Sequence, residues 1–202
     1  MDEQALIGLA RRGDLDAFNR LVLAYQNMAY NLAYRMIGED ASAQDAAQNA
    51  FLSAYRNLAS YRGGSFKAWV MRMVTNACYD ELRRRHRHPE TSLEPQVEGE
   101  DEMESPSWLA DDGPSPEESL ERAQLEQAIQ RCLGSLPDDF RVVVVLVDVE
   151  GLDYDEVSTA IGKPLGTIKS RLARARLKLR TCLQGLWVLL PAQFRLGGEV
   201  NP

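Results

Sequence analysis

The chain has 202 residues, 45% of them hydrophobic, and a formal net charge of −7. That length allows one large domain or two small ones, and the composition is neither that of a disordered chain nor that of a fibre. No apolar run approaches the ~18 residues a bilayer span needs, and the amphipathic start "MDEQALIGLARRGD" does not resemble a secretory leader. No membrane insertion is expected. Cys78, Cys132 and Cys182 lie far apart and form no CxxC. They predict neither a metal site nor a disulfide, but three small buried hydrophobes in a reducing, cytoplasmic setting.

In chain order, an amphipathic helix is expected over residues 3–12, then a long one over 14–37. Phe18, Leu21, Val22, Tyr25, Met28, Ala29, Leu32, Met36 and Ile37 recur at helical spacing, with "GD" before them and Gly38 after. A further helix is predicted over 42–59, opened by a capping-box pattern at Ser42 and Asp45. Its inner line is Ala47, Phe51, Ala54 and Leu58. On its outer side Asp45, Asn49, Leu52 and Arg56 form a stripe, with Gln48 beside it. The polar members are those of any solvated face, whereas a leucine among them suits a docking surface.

Next comes "YRGGSFKAWVMRMVTNACYDELRRRHRH". Gly63 and Gly64 make a loop before a Ser65 N-cap, and a helix is predicted over 65–85. Phe66, Trp69, Val70, Met73 and Ala77 point inward by spacing. Aromatic and basic residues interleave here, as in surfaces that stack bases and track a single-stranded backbone. Tyr61, in the loop, is the stacking candidate. The basic end of this helix also suits the C-terminal pole of a helix dipole. No strand pattern appears in this lobe, which reads as an all-helical bundle.

From Pro89 to Glu121 there are twelve acids, five prolines and no Lys or Arg. Such a stretch buries too little to offset its chain entropy and is expected to be a disordered linker. Without it the remainder holds 23 basic and 18 acidic residues, so two mildly basic lobes flank an acidic tether. Basic lobes point to a polyanionic partner.

The second lobe opens with a helix over 117–134, carrying Leu120, Leu125, Ile129 and Leu133 on one face. "RVVVVLVDVEG" follows, and four consecutive valines favour a strand by local propensity. "LDYDEVSTAIG" then offers Asp153 as N-cap with Glu156 three residues on. "KPLG" is a tight turn, and Thr167 opens a basic helix: a helix-turn-helix layout. On a wheel Ile168, Leu172, Ala175 and Leu179 form the buried line. Lys169, Arg176 and Arg180 flank it on one side, and Arg171, Arg174 and Lys178 on the other. Thr167, Ser170 and Ala173 lie between the rails. That arrangement suits a helix lowered into a major groove, with rails on phosphates and the tip on base edges. A merely solvated helix carries both charge signs, and this one has no acid from 157 to 198.

Three stretches, "DAFNRLVLAYQNMAYNLAYRMIG", "DAAQNAFLSAYRNLASYRGGSFKAWVMRMVTNACYDELRRR" and "LDYDEVSTAIGKPLGTIKSRLARARLKL", resemble bacterial sigma factors of the extracytoplasmic-function (ECF) group. The resemblance covers nearly everything but the tether and the tail. It implies an all-α fold: a sigma-2-type domain over 1–88, a linker over 89–117, a sigma-4-type helix-turn-helix domain over 118–185 and a tail over 186–202. It implies that the valine run is helical. It also implies that the first lobe docks on core RNA polymerase and captures the promoter's −10 strand, while the second reads the −35 duplex. By position, Asp45, Gln48, Asn49, Leu52 and Arg56 become the polymerase contact, although Asn49 departs from the family's usual Glu. Tyr61, Arg62, Ser65, Lys67, Arg72, Asn76 and Arg83 become the −10 surface, and Thr167, Lys169, Ser170, Arg171, Arg174, Arg176 and Lys178 the −35 surface. Core RNA polymerase and promoter DNA are the implied partners, with an anti-sigma factor a further candidate. The tether either enters the polymerase channel that later holds RNA or keeps two basic lobes soluble.

The competing reading is a stand-alone helix-turn-helix regulator, which has no use for a strand pocket or a docking stripe. Catalysis has little support: there is no Walker loop, no nucleophile–base set and no acid cluster at metal spacing. His86 and His88 lie in a basic tail and are more readily phosphate neighbours than ligands. No cofactor is expected.

Overall fold

Asp14 and Gly38 bound the longest helix. Asp14 Oδ1 accepts from the Ala17 amide at 3.0 Å, and Gly38 ends the helix at φ +82°, donating its N–H to the Tyr34 carbonyl. In the computed structural model, residues 2–87 and 116–185 are described, and all the regular structure among them is helical. The first lobe holds α1 (Glu3–Ala10), α2 (Leu15–Ile37), α3 (Asp40–Asn57) and α4 (Phe66–Arg87), with a 3-10 turn at Leu58–Ser60. The second holds α5 (Pro116–Gly134), α6 (Asp138–Val144), a π turn over Val145–Val149, α7 (Tyr154–Ile161) and α8 (Leu165–Gly185). Helix α5 overlaps the last residues of the expected linker. The rest of that linker, and the tail from 186, lie outside the described residues.

Three local expectations are corrected. Helix α3 starts at Asp40, not Ser42, because Glu39 caps it: its two carboxylate oxygens accept from the Ala41 and Ser42 amides at 2.9 and 2.8 Å. One side chain thus serves two orphan donors, which Ser42 could not do. Helix α8 starts at Leu165, inside the expected turn. Pro164 fixes its own φ, and its carbonyl already accepts from the Thr167 and Ile168 amides. Cys132 and Cys182 form a disulfide, with Cα atoms 5.7 Å apart. Fifty residues separate them in sequence, so only the packing of α8 on α5 brings them together. Their pairing removes the cysteine argument for a reducing compartment. Cys78 remains a buried thiol, pushed up to about 12 by burial.

The valine run is helical. Val142, Val143, Val144, Val145 and Leu146 are all buried, so packing on every side outweighs a strand preference that amounts to tenths of a kcal/mol per residue. The Asp153–Glu156 capping box at the start of α7 is present in both directions.

The two lobes share one continuous core. Arg141 of α6 lies at their junction. Its guanidinium donates to the carbonyls of Leu133, Gly134 and Leu136 at 2.9–3.0 Å, and also to that of Met36 in the last turn of α2. One buried cation thus closes the C-terminal ends of two helices, one from each lobe. Around it Arg35 pairs with Glu126 at 3.1 Å, and Gln130 donates to the Tyr34 carbonyl at 3.1 Å.

Candidate nucleic-acid interface

On α8, Ile168, Leu172 and Ala175 are buried and Leu179 is half-buried, as the wheel requires. Lys169, Ser170, Arg174, Arg176 and Lys178 are exposed on the opposite side, and Thr167 is half-buried in the first turn. The rails are only partly unengaged. Arg176 makes a two-nitrogen contact with Asp148 at 2.9 and 2.6 Å, and the Lys169 ammonium lies 5.7 Å from the Tyr154 ring centre. Arg171 departs further: its side chain is 18% exposed, and it donates to Asp139 at 2.6 Å.

The loop before α4 is braced rather than open. Tyr61 was the stacking candidate, yet it is 4% exposed. Its ring meets Phe66 edge-on at 5.4 Å and lies 5.5 Å from Trp69, and its hydroxyl donates to the Gly64 carbonyl at 2.7 Å. The ring offered for stacking on a base is taken up here by edge-on and tilted packing within the protein. Gly63 and Gly64, both at φ above +90°, make the turn that allows this. Ser65 caps α4, accepting from the Ala68 amide at 3.1 Å. Arg62, Ser65, Arg72, Asn76 and Arg83 are exposed and Lys67 is half-buried, so six of the seven candidates reach the surface in the loop or on α4, with Asn76 in the groove toward α3 and Lys67 against Glu156 of α7. Arg83 pairs with Asp80 on its own helix.

The five-residue stripe on α3 divides between two grooves. Gln48 and Leu52 line an apolar groove of about 550 Å³ between α2 and α3, with Phe18, Val22, Phe51 and Tyr55. Leu52 is 48% exposed at its rim. Asp45 and Asn49 face the other way, toward α4, in a polar groove with Ser53, Asn76 and Arg84. Arg56 is exposed beyond both. A wheel cannot show this split, because it depends on which neighbouring helix each flank meets.

Sequence reasoning missed Glu156 and Asp139. Glu156 accepts from Ser65 Oγ at 2.7 Å and lies 2.9 Å from Lys67 Nζ. Burial alone would raise its carboxyl, but the bonds from Lys67 and Ser65 outweigh it and hold the group below the usual range. Asp139 accepts from Tyr79 at 3.1 Å as well as from Arg171. Burial first, and then Asp139, pushes the Tyr79 phenol upward. The first pair was readable only as the capping box of α7, and nothing in the sequence marks its reach across lobes.

Two family descriptions match the chain: Sigma-70 region 2 over residues 21–88, and Sigma-70 region 4 over residues 126–179. The chain is 37% identical over 186 residues to the RNA polymerase sigma-H factor of Pseudomonas aeruginosa, a match covering 91% of this chain and 95% of that one. It is 35% identical over 177 residues to the ECF RNA polymerase sigma factor SigW of Bacillus subtilis, covering 87% and 94%. Among solved structures, the fold is similar to that of the sigma factor RpoE from Bartonella quintana, solved in complex with the anti-sigma factor NepR. The TM-score is 0.60 at 24% identity, over 83% of this chain and 96% of that one. The helix-turn-helix, the helical bundle and these matches agree: the chain belongs to the ECF group of sigma-70 family RNA polymerase sigma factors, non-enzymatic subunits that direct core polymerase to promoters.

Proposed function

We propose that the two lobes divide promoter recognition between them. The first, residues 1–88, docks on core polymerase and captures the −10 strand; the second, residues 118–185, reads the −35 duplex; residues 89–117 join them. The observation that carries the second assignment is the exposed row on α8, where Lys169, Ser170, Arg174 and Lys178 stand opposite a buried line. A helix so arranged meets phosphates with its cations while small side chains admit the base edges. The −10 surface is Arg62, Ser65, Lys67, Arg72, Asn76 and Arg83, with Tyr61 as the brace beneath the loop rather than a surface stacker. The polymerase contact centres on Leu52 at the rim of the α2–α3 groove, with Gln48 and Arg56 beside it; Asp45 and Asn49 support it from the α4 side. The protein acts in the cytoplasm, where polymerase and promoter meet. An anti-sigma protein is a fitting further partner, since a structural neighbour was solved with one.

Core polymerase pull-down tests the docking assignment. Leu52→Asp places a charge in an apolar groove, and Arg56→Glu reverses the neighbouring cation. Both variants are expected to fold as wild type by circular dichroism and to lose core binding at least tenfold, about 1.4 kcal/mol or more. Retention of core enzyme by both would remove the α3 surface from the docking site.

A further inference from the structure

The loop before α4 carries two residues of the proposed −10 surface, Arg62 and Ser65, on either side of Gly63 and Gly64. Both glycines stand at positive φ, +93° and +92°, where a side chain would be strained. Neither is packed: a Cβ at either position would meet nothing within 4 Å. The pair serves the turn and not a close approach. Two unpacked glycines in succession leave a backbone free to take many shapes. The placement of Arg62 and Ser65 therefore depends on what holds these glycines still.

One group does so. The Tyr61 hydroxyl donates to the Gly64 carbonyl at 2.7 Å, and among the described residues no other hydrogen bond reaches the backbone of residues 62–64. The hydroxyl is itself held, because the ring behind it is buried against Phe66 and Trp69, at 5.4 and 5.5 Å. Phe66 stands 5.8 Å from Tyr25 of α2, so the anchor is continuous with the core. At the near end of the loop the Tyr61 amide donates to the Leu58 carbonyl at 3.2 Å. Every one of these groups belongs to the first lobe.

A held loop and a free one bind a strand differently. Contacts to phosphate and sugar give affinity for any sequence, whereas contacts to a base edge give the choice among sequences. That choice is a difference of affinities. A free loop shifts to accommodate a wrong base, and it loses conformational entropy on binding; a loop anchored beforehand does neither. Loss of the anchor is thus felt in discrimination more than in overall binding.

We propose that Tyr61 is a positioning residue for promoter selectivity: its hydroxyl fixes Gly64 and so sets Arg62 and Ser65 against the captured −10 strand. The inference rests on the assignment of the first lobe to the −10 element and adds the group that sharpens it.

The test uses the full chain with core polymerase, as wild type, Tyr61→Phe and Tyr25→Phe. The templates are the most active promoter recovered from a genomic fragment library and every single-base change across its −10 element. The readout is the ratio of transcript from the best base to transcript from the worst at each position. Tyr61→Phe keeps the ring packing and removes the hydroxyl alone. Tyr25→Phe removes a hydroxyl bond to Glu3 from the same aromatic cluster without touching the loop, and controls for general loosening. Tyr61→Phe is expected to lower the ratio about three- to tenfold at one or two positions, as loss of one neutral hydrogen bond implies, with Tyr25→Phe at the wild-type ratio. A lobe that is merely less stable loses transcript from every template alike and keeps its ratios. Ratios for Tyr61→Phe equal to those of wild type, or ratios for Tyr25→Phe that fall as far, overturn the inference and leave the −10 assignment standing. A wild-type complex indifferent to every −10 change sinks that assignment and the inference with it.

Discussion

Arg171 and Arg174 lie on the same rail of α8, three residues apart, yet their surroundings set them different tasks. Arg174 is exposed beyond the helix-turn-helix body, whereas Arg171 is half-buried and bound to Asp139. An arginine that projects clear of the body can reach a base edge with its fork, and one held at the helix flank reaches only the backbone. Arg174→Ala is therefore expected to cost about 1–3 kcal/mol at one or two positions of the −35 element and little elsewhere. Arg171→Ala should weaken every sequence alike. A panel of single-base promoter variants, titrated with the polymerase complex, separates the two patterns. Uniform loss for both variants would remove base reading from Arg174.

At the scale of elements, the disulfide between α5 and α8 is the contact that sequence spacing hid. Closing a 50-residue loop stabilises a fold by about 4 kcal/mol in the chain-entropy treatment, most of it through the unfolded state. The loop runs from the end of α5 through α6 and α7 into α8, so the helix-turn-helix is inside it. Cys182→Ser, and wild type under a thiol reductant, are both expected to lower the melting temperature of that lobe by several degrees. They should leave the secondary structure intact, because α8 keeps its buried line of Ile168, Leu172 and Ala175. A melt that is the same with and without reductant would mean that the bond adds nothing to the packing of these helices. The helix ends show the complementary lesson. Asp14, Ser65, Asp153 and Gly38 were legible because their partners lie within four residues. Glu39 was passed over because Ser42 offers the commoner capping residue, and only the geometry shows a carboxylate serving two amides.

The whole molecule is where the sequence was least informative. The helices of the first lobe, the helix-turn-helix and the recognition face follow from periodicity and capping, which are local, whereas the helicity of the valine run came only from the family resemblance. Tyr61 folded under its own loop onto Gly64, Phe66 and Trp69, an arrangement that periodicity does not fix, and the stripe on α3 split between grooves because α2 and α4 flank it on either side. The junction between lobes is of the same kind: an arginine in a valine-rich segment carries no sign that it will be buried. Burial lowers the Arg141 pKa, and Asp138 at 3.4 Å is the ion partner that partly offsets the cost. Its side chain serves carbonyls of Leu133, Gly134 and Leu136 in one lobe and of Met36 in the other. Arg141→Met keeps much of the volume and strands those acceptors, a loss of roughly 3–5 kcal/mol. Because the acceptors belong to both lobes, the loss falls on their mutual packing as well as on α5. Calorimetry of wild type is expected to give one transition, and of the variant two, with the reading lobe melting first. A variant that melts in one transition at the wild-type temperature would show that the lobes do not depend on this cation, and that the shared core alone holds them together.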